Sequence, residues 1–217
     1  MAKNMRNLRA AREYVDAVVQ RLRDDVLLKE VGQCELRSTS DGSDWKLHGG
    51  TIRGLGRIGH DGRPWLIEVQ PHSEGDAEVL PHSEGDAETP APKRFDVAAM
   101  VLVRDCEFEA FYDYASVMQQ VSGKVSGKVE IVRVDMLIGH PKGPDDVPEL
   151  KVFDTKEFTG LALAKVSVGV LHQKFITEAT AQAVRSCIEQ AMTIRVAPLL
   201  ATVLKGIAFP DFNKVQH

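Results

Sequence analysis

The chain has 217 residues, 43% of them hydrophobic and 27% charged, with a formal net charge of −4. That length suits one sizeable core, the composition is ordinary for a globular domain, and the acidic total excludes attachment to nucleic acid through bulk positive charge. The charge is uneven: residues 1–70 carry 12 Lys/Arg and 10 Asp/Glu, residues 71–88 carry six acids and no Lys or Arg, and the remainder balances at 15 each.

In chain order, the first element reads as a helix. Leu8, Ala11, Val15, Val18, Leu22 and Val26 recur at spacings of three and four, the stripe a helix buries. Gly32 is its expected stop, and Lys3, Arg6, Arg9 and Arg12 make its tip basic. Residues 38–50 read as a loop with a short extended piece. Thr51 to Ile58 and Trp65 to Gln70 read as two strands of a hairpin, with Asp61-Gly62 and Pro64 supplying turn chemistry between them. Trp65 to Val69 is expected to be a buried strand.

Residues 71–78 and 81–88 are the same eight letters, Pro-His-Ser-Glu-Gly-Asp-Ala-Glu, and residues 121–124 and 125–128 repeat Val-Ser-Gly-Lys. Both repeats are polar and contain glycine, so both are expected in permissive surface loops. Phe95 to Val103 predicts a second apolar strand. Cys106 to Tyr114 alternates and predicts a strand with one exposed side. Ala115 to Val121 suggests a short helix, Val129 to Ile138 another strand, and Gly139 to Pro148 a loop.

Beyond residue 150 the pattern turns helical. Asp154-Thr155-Lys156-Glu157 resembles a capping box. Thr177 is placed to cap a helix from Glu178 to Arg195, with Ala183, Val184, Cys187, Ile188, Ala191 and Met192 facing inward. Pro198 and Gly206 mark the first turn and the end of a last helix. The expected architecture is α+β: a mainly antiparallel or mixed β-sheet, covered by an N-terminal helix and a C-terminal group of helices. Residues 1–150 would form the core, with an inserted acidic loop at 71–92, and residues 151–217 a helical extension of the same domain.

Cys34, Cys106 and Cys187 are dispersed and lack metal-finger spacing, which fits packing roles in a reducing compartment. The N-terminus lacks an apolar signal core, and the apolar stretch Val196 to Leu204 is far shorter than a membrane span. A soluble cytoplasmic protein without a membrane partner is expected.

One constellation suggests chemistry. Asp44 lies in the extended piece after the first helix, and Glu68 and Gln70 project from one face of a predicted strand. A carboxylate in an apolar strand is costly unless it is paired or binds a metal. Two carboxylates converging from neighbouring strands can hold Mg²⁺ through oxygen ligands, and such an ion activates water at a phosphate. The order of helix, loop with Asp44, hairpin, Glu68-Val69-Gln70 strand and the strand opening Arg94-Phe95-Asp96 resembles the core of the PD-(D/E)XK, or restriction-endonuclease-like, superfamily over residues 5–115. The resemblance implies metal-ligand roles for Asp44 and Glu68, with Gln70 at the position of the lysine that assists the attacking water.

Lys46, Arg53, Arg57 and Arg63 surround this constellation in sequence and are candidate phosphate contacts. The expected function is therefore Mg²⁺-dependent hydrolysis of nucleic-acid phosphodiesters. The alternative is a non-catalytic interaction or assembly protein, a homo-oligomer joined through the apolar region from Phe158 to Phe209.

Overall fold

The computed structural model describes residues 2–25, 27–28, 33–36, 45–69, 93–115, 120–141, 143, 146–166 and 170–213. The predicted acidic loop, the expected helix stop at Gly32 and the first candidate ligand, Asp44, lie outside the described residues. The N-terminal helix, α1, runs over Ala2–Asp24. Ala11, Tyr14, Val15, Val18, Val19 and Leu22 are buried on its inner face, as the three-and-four spacing requires.

Seven strands follow: β1 (Gln33–Leu36), β2 (Trp45–Arg53), β3 (Ile58–Val69), β4 (Arg94–Ala115), β5 (Gln120–Gly139), β6 (Glu149–Thr159) and β7 (Ala162–Val166). Every described pairing is antiparallel, so the sheet is not mixed. Its spine is the pair β4–β5, registered from Val97↔Ile138 to Ala115↔Gln120. One flank of β4 is shared: β3 pairs with its first half and β2 with its second, and β1 adds to β2. The far flank of β5 is likewise shared between β6 and β7.

This arrangement corrects the expected hairpin. β2 and β3 do not pair with each other; they follow one another along β4, joined at residues 54–57, where the Arg57 N–H donates to the Gly54 carbonyl at 2.9 Å. The turn chemistry at Asp61-Gly62 and Pro64 is spent on a bulge inside β3, where the register with β4 shifts between Asp61 and Trp65 and Gly62 has φ +76°.

The two expected strands Phe95–Val103 and Cys106–Tyr114 are one. Val97, Ala99, Val101 and Val103 are buried in the first half of β4, and Cys106, Phe108, Ala110 and Tyr112 in the second. The inward set changes parity at Asp105, which has φ 53°. On β5 it changes at the same level, from Val125 and Val129 to Val132, Val134, Met136 and Ile138. Both strands take an extra residue together, so the register holds and one face stays toward the core.

The Val-Ser-Gly-Lys repeat lies inside β5 and not in a loop. A four-residue repeat preserves the two-residue period of a strand. Gly123 therefore stands opposite Tyr112 and Gly127 opposite Phe108 on the inward face. A Cβ on Gly123 would meet the Tyr112 hydroxyl at 2.5 Å, and one on Gly127 would meet the Phe108 ring at 2.5 Å, so each glycine makes room for an aromatic ring. Of the short helix expected over Ala115–Val121, Ala115, Gln120 and Val121 are strand residues, and residues 116–119 lie outside the described residues.

The C-terminal segment opens with strand. The supposed capping box, Asp154 to Glu157, sits within β6. Its alternation serves cross-strand pairing, with Asp154 opposite Asp135 and Glu157 opposite Arg133. The first C-terminal helix, α2, spans Val170–Ala191, so Thr177 is interior and not a cap. A π-helical turn, Met192–Val196, leads into α3, Ala197–Leu204. The Ala197 N–H bonds to the Met192 carbonyl. Pro198 has no N–H to offer the next turn, and the wide turn just before it absorbs that loss.

Gln173–Leu204 is long and apolar enough to cross a membrane by length and composition alone. Ile176, Val184, Ile188, Met192, Val196, Leu200 and Leu204 nevertheless join α1 and both halves of the sheet in a single core.

The helices also cover free strand edges. From α2 and the π turn, Cys187 Sγ reaches the Glu35 carbonyl at 3.5 Å and an Arg195 nitrogen donates to the Gln33 carbonyl at 3.0 Å. From α1, Arg23 donates to the Ile58 carbonyl. Side chains thus occupy backbone acceptors that would otherwise template another strand.

Candidate functional site

Glu68 is placed on β3 opposite Phe95, half exposed, with Lys93 Nζ 2.8 Å from its carboxylate. The pairing of β3 with β4 brings this lysine across, and the ion pair satisfies the charge without a metal. Gln70, like Asp44, lies outside the described residues. Among the described residues no group of three or more His, Cys, Asp or Glu side chains is placed to hold a metal ion.

The candidate phosphate contacts do not gather around Glu68. Lys46 stands opposite Asp113 and Arg53 opposite Glu107, both on the second half of β4. The strand from Phe95 to Glu107 rises roughly 3.3 Å per residue, so Arg53 is separated from Glu68 by roughly 40 Å of chain direction. Arg57 is engaged locally, donating to the Asp105 carbonyl at 2.8 Å. Arg63 is exposed in the β3 bulge.

What Lys46 and Arg53 do join is a charged array on the outward face of the second half of the sheet. β4 supplies Glu107, Glu109 and Asp113, β2 supplies Lys46, His48 and Arg53, and β5 supplies Lys124 and Lys128. Lys124 Nζ lies 2.8 Å from Glu109, and this hydrogen bond is the main cause holding the Glu109 carboxyl below its ordinary range. Asp113 is held low by the Ser122 hydroxyl, with help from His48 at 3.0 Å. An open groove of about 520 Å³ crosses this array, lined among others by Thr51, Arg53, Glu107, Ser126 and Lys128. Acids and bases alternate along it and largely cancel, so it offers no single-signed field for a phosphate.

The outward face of the first half is different. Trp65 pairs with Ala98, Ala98 with Leu137, and Leu137 with Val152. Directly opposed residues project from the same side of a sheet, so these four side chains form one apolar row across four strands. Trp65 is 55% exposed and Val152 38%. Ile67, two residues beyond Trp65 and therefore on the same face, is 47% exposed. The expected burial of the Trp65–Val69 strand is thus corrected: β3 carries large apolar groups on its solvent side.

A parallel row runs one step away: Asp61 opposite Met100, Met100 opposite Asp135, and Asp135 opposite Asp154. On the other side Asp96, buried, accepts from Lys151 Nζ at 2.8 Å and from the His140 N–H at 2.9 Å. The apolar row is therefore bordered by the Asp96–Lys151 ion pair and exposed Arg94 on one side, and by three carboxylates on the other, of which Asp154 pairs with Lys156.

Titratable groups inside the core do not add a second site. Burial pushes the Cys34 thiol up to about 11 and the Cys106 thiol up to about 12, which leaves both protonated and unreactive near neutral pH. His140 is held below its ordinary value, first by burial and then by Arg94, and packs edge-on against Phe209. The alternation of Trp65 and Ile67 with Leu66 and Glu68 was the available sign of the apolar row, but only the register with Ala98, Leu137 and Val152 makes it continuous.

No protein-family model matches the chain, and no curated protein matches it. Among solved structures it is similar to lipopolysaccharide binding protein at 12% identity and a TM-score of 0.37, over 89% of this chain and 39% of that one. The chain thus spans well under two thirds of that protein's length, and a likeness this distant carries no argument about ligand or activity.

Proposed function

We propose that the chain is a non-catalytic interaction protein that engages a partner through the outward face of the first half of its sheet. The observation that carries this reading is the continuous row Trp65–Ala98–Leu137–Val152, extended by Ile67, in which Trp65, Ile67 and Val152 are exposed and Ala98 and Leu137 partly so. Contiguous apolar surface of this kind marks contact sites on soluble proteins. Covering the exposed half of Trp65 alone would remove on the order of 100 Å² from water, worth about 2–3 kcal/mol. The C-terminal region, where sequence places a self-association surface, exposes Phe175 and Ile194 singly. Nineteen helical residues separate them, or roughly 28 Å along the axis, so they do not share a patch.

The nuclease-like core of the restriction-endonuclease type remains the competing proposal, and it requires the Glu68 carboxylate to leave Lys93 and meet Asp44 on a metal. A photo-crosslinking residue in place of Trp65, Ile67 or Val152 in the full chain is expected to give discrete adducts in cells, and the same residue at exposed Lys205 none. Equal labelling at all four positions would refute the interaction reading. So would a Mg²⁺-dependent rise in melting temperature that Glu68→Ala abolishes, together with metal-dependent cleavage of DNA or RNA.

A further inference from the structure

We infer that the cleft between α1 and the β3–β4 pair is a binding site for a phosphate monoester, held by the guanidinium groups of Arg23 and Arg104. The inference goes beyond the interaction reading and does not depend on it. The cleft has a volume of about 580 Å³, within the range of small-ligand pockets. Among its lining residues α1 supplies Asp16, Gln20 and Arg23, β3 supplies Gly59 and His60, and β4 supplies Arg104. Arg23 donates through Nε to the Ile58 carbonyl, which leaves its terminal nitrogens for a ligand. A Cβ on Gly59 would stand 3.3 Å from one of those nitrogens, so the glycine leaves the guanidinium its place beside the cleft. Arg104 is exposed and forms no ion pair among the described residues.

The acids of the cleft are already engaged. Among the described residues Asp16 is the only carboxylate that lines it. One Asp16 oxygen lies 2.5 Å from His60 Nε2 and the other 3.9 Å from Arg12. Asp24 accepts from the Gln20 amide at 3.1 and 3.2 Å, and Asp61 and Asp105, which follow His60 and Arg104 in sequence, do not line the cleft. A metal cation therefore finds no free carboxylate there, whereas an anion finds two guanidinium groups from two separate elements. A carboxylate ligand satisfies one such fork. A phosphate monoester, with three terminal oxygens and about 1.5–2 negative charges, can accept from both. The chain's net charge of −4 disfavours a polyanion, so the ligand is a single phosphate group, free or as a lipid headgroup.

The test titrates phenyl phosphate into the intact protein by calorimetry, with benzoate as the ligand that fits a single fork. Phenyl phosphate is expected to bind about ten-fold or more tighter than benzoate. Arg104→Gln should weaken phenyl phosphate about ten-fold with an unchanged melting temperature, and Arg104→Lys, which keeps the charge without the fork, should weaken it less. Arg63→Gln, in the β3 bulge and away from the cleft, should leave it unchanged. Vesicles of phosphatidic acid in phosphatidylcholine identify the source. Tighter binding to them than to phenyl phosphate, lost with Arg104→Gln, assigns the lipid headgroup, and weaker binding assigns the free ester. No binding of phenyl phosphate at millimolar concentration would overturn the inference. So would equal affinity of the wild type and Arg104→Gln, or an equal loss in Arg63→Gln, which would mark the effect as bulk electrostatics.

Discussion

Replacing Gly127 by alanine adds one methyl group where the sheet has no room for it. Its Cβ would stand 2.5 Å from Phe108 Cζ and 2.9 Å from Cε1, and would press on the Ala162 carbonyl of β7. Phe108 is 3% exposed and the Ala162 oxygen is backbone, so neither yields freely. Overpacking of this kind costs about 1–3 kcal/mol. Against it stands the lower unfolded-state entropy of alanine, a gain of about 0.5–1 kcal/mol. The balance is a loss of about 1 kcal/mol, which in a chain of this size lowers the melting temperature by roughly 2–4 °C. Scanning calorimetry measures it, and Phe108→Leu supplies the control. If the glycine exists to seat the ring, Gly127→Ala should cost less in the Phe108→Leu background, with a coupling of about 1 kcal/mol. A melting temperature at or above wild type for Gly127→Ala, or strict additivity of the two substitutions, would refute the ring-and-glycine account of the repeat.

Three further outcomes are expected. Asp96→Ala strands the His140 N–H and the Lys151 amine and should cost about 2–3 kcal/mol by urea denaturation with an unchanged slope, while Asp96→Asn should cost less. Lys124→Met should raise the Glu109 carboxyl toward its ordinary 4.5 in a carbon-13 titration, since the lysine hydrogen bond is the main cause of its depression. A depressed carboxyl supports folding above its unfolded value and loses that support as pH falls, so the variant should also show a weaker fall in stability on acidification. Of the three thiols, partly buried Cys187 should react first with an aromatic disulfide reagent in the native protein, and all three after unfolding. Because Cys34 and Cys106 titrate near 11 and 12 when folded and near 9.0 when not, their contribution is present below pH 9 and lost as pH rises toward those values.

The helical parts of the fold were legible because their signal is local. Leu8 to Leu22 in α1 and Ala183 to Met192 in α2 and the π turn carry the three-and-four spacing, and the structure buries most of those side chains. The sheet was legible in its alternation but not in its continuity. Asp105 breaks the parity of β4, and a parity break reads in sequence as an end of strand. Glycine misled for a similar reason: in β5 it answers to an aromatic ring on another strand, a partner that sequence spacing does not reveal. The residues 154–157 show that Asp-Thr-Lys-Glu serves a strand as well as a helix cap. At the candidate site, the lysine that neutralises Glu68 is 25 positions away, and only the β3–β4 register identifies it. The acidic and apolar rows are likewise invisible along the chain, since each draws its members from four separate strands.

The side chains resting on the strand edges make the sheet's colloidal behaviour depend on its helices. Arg195 and Cys187 occupy alternate carbonyls of β1, a strand of four residues paired on one side to β2, and Arg23 does the same at the start of β3. When α2 and its π turn lift away on heating, those acceptors open together on the β1 side of the sheet. A second chain in the same state then finds backbone hydrogen-bonding partners beside freshly exposed Leu36 and Ile52, and strands of different molecules can zip edge to edge. Reversibility after heating is therefore governed by how soon the C-terminal helix returns to its edge, a race against concentration that the global stability of the sheet does not decide.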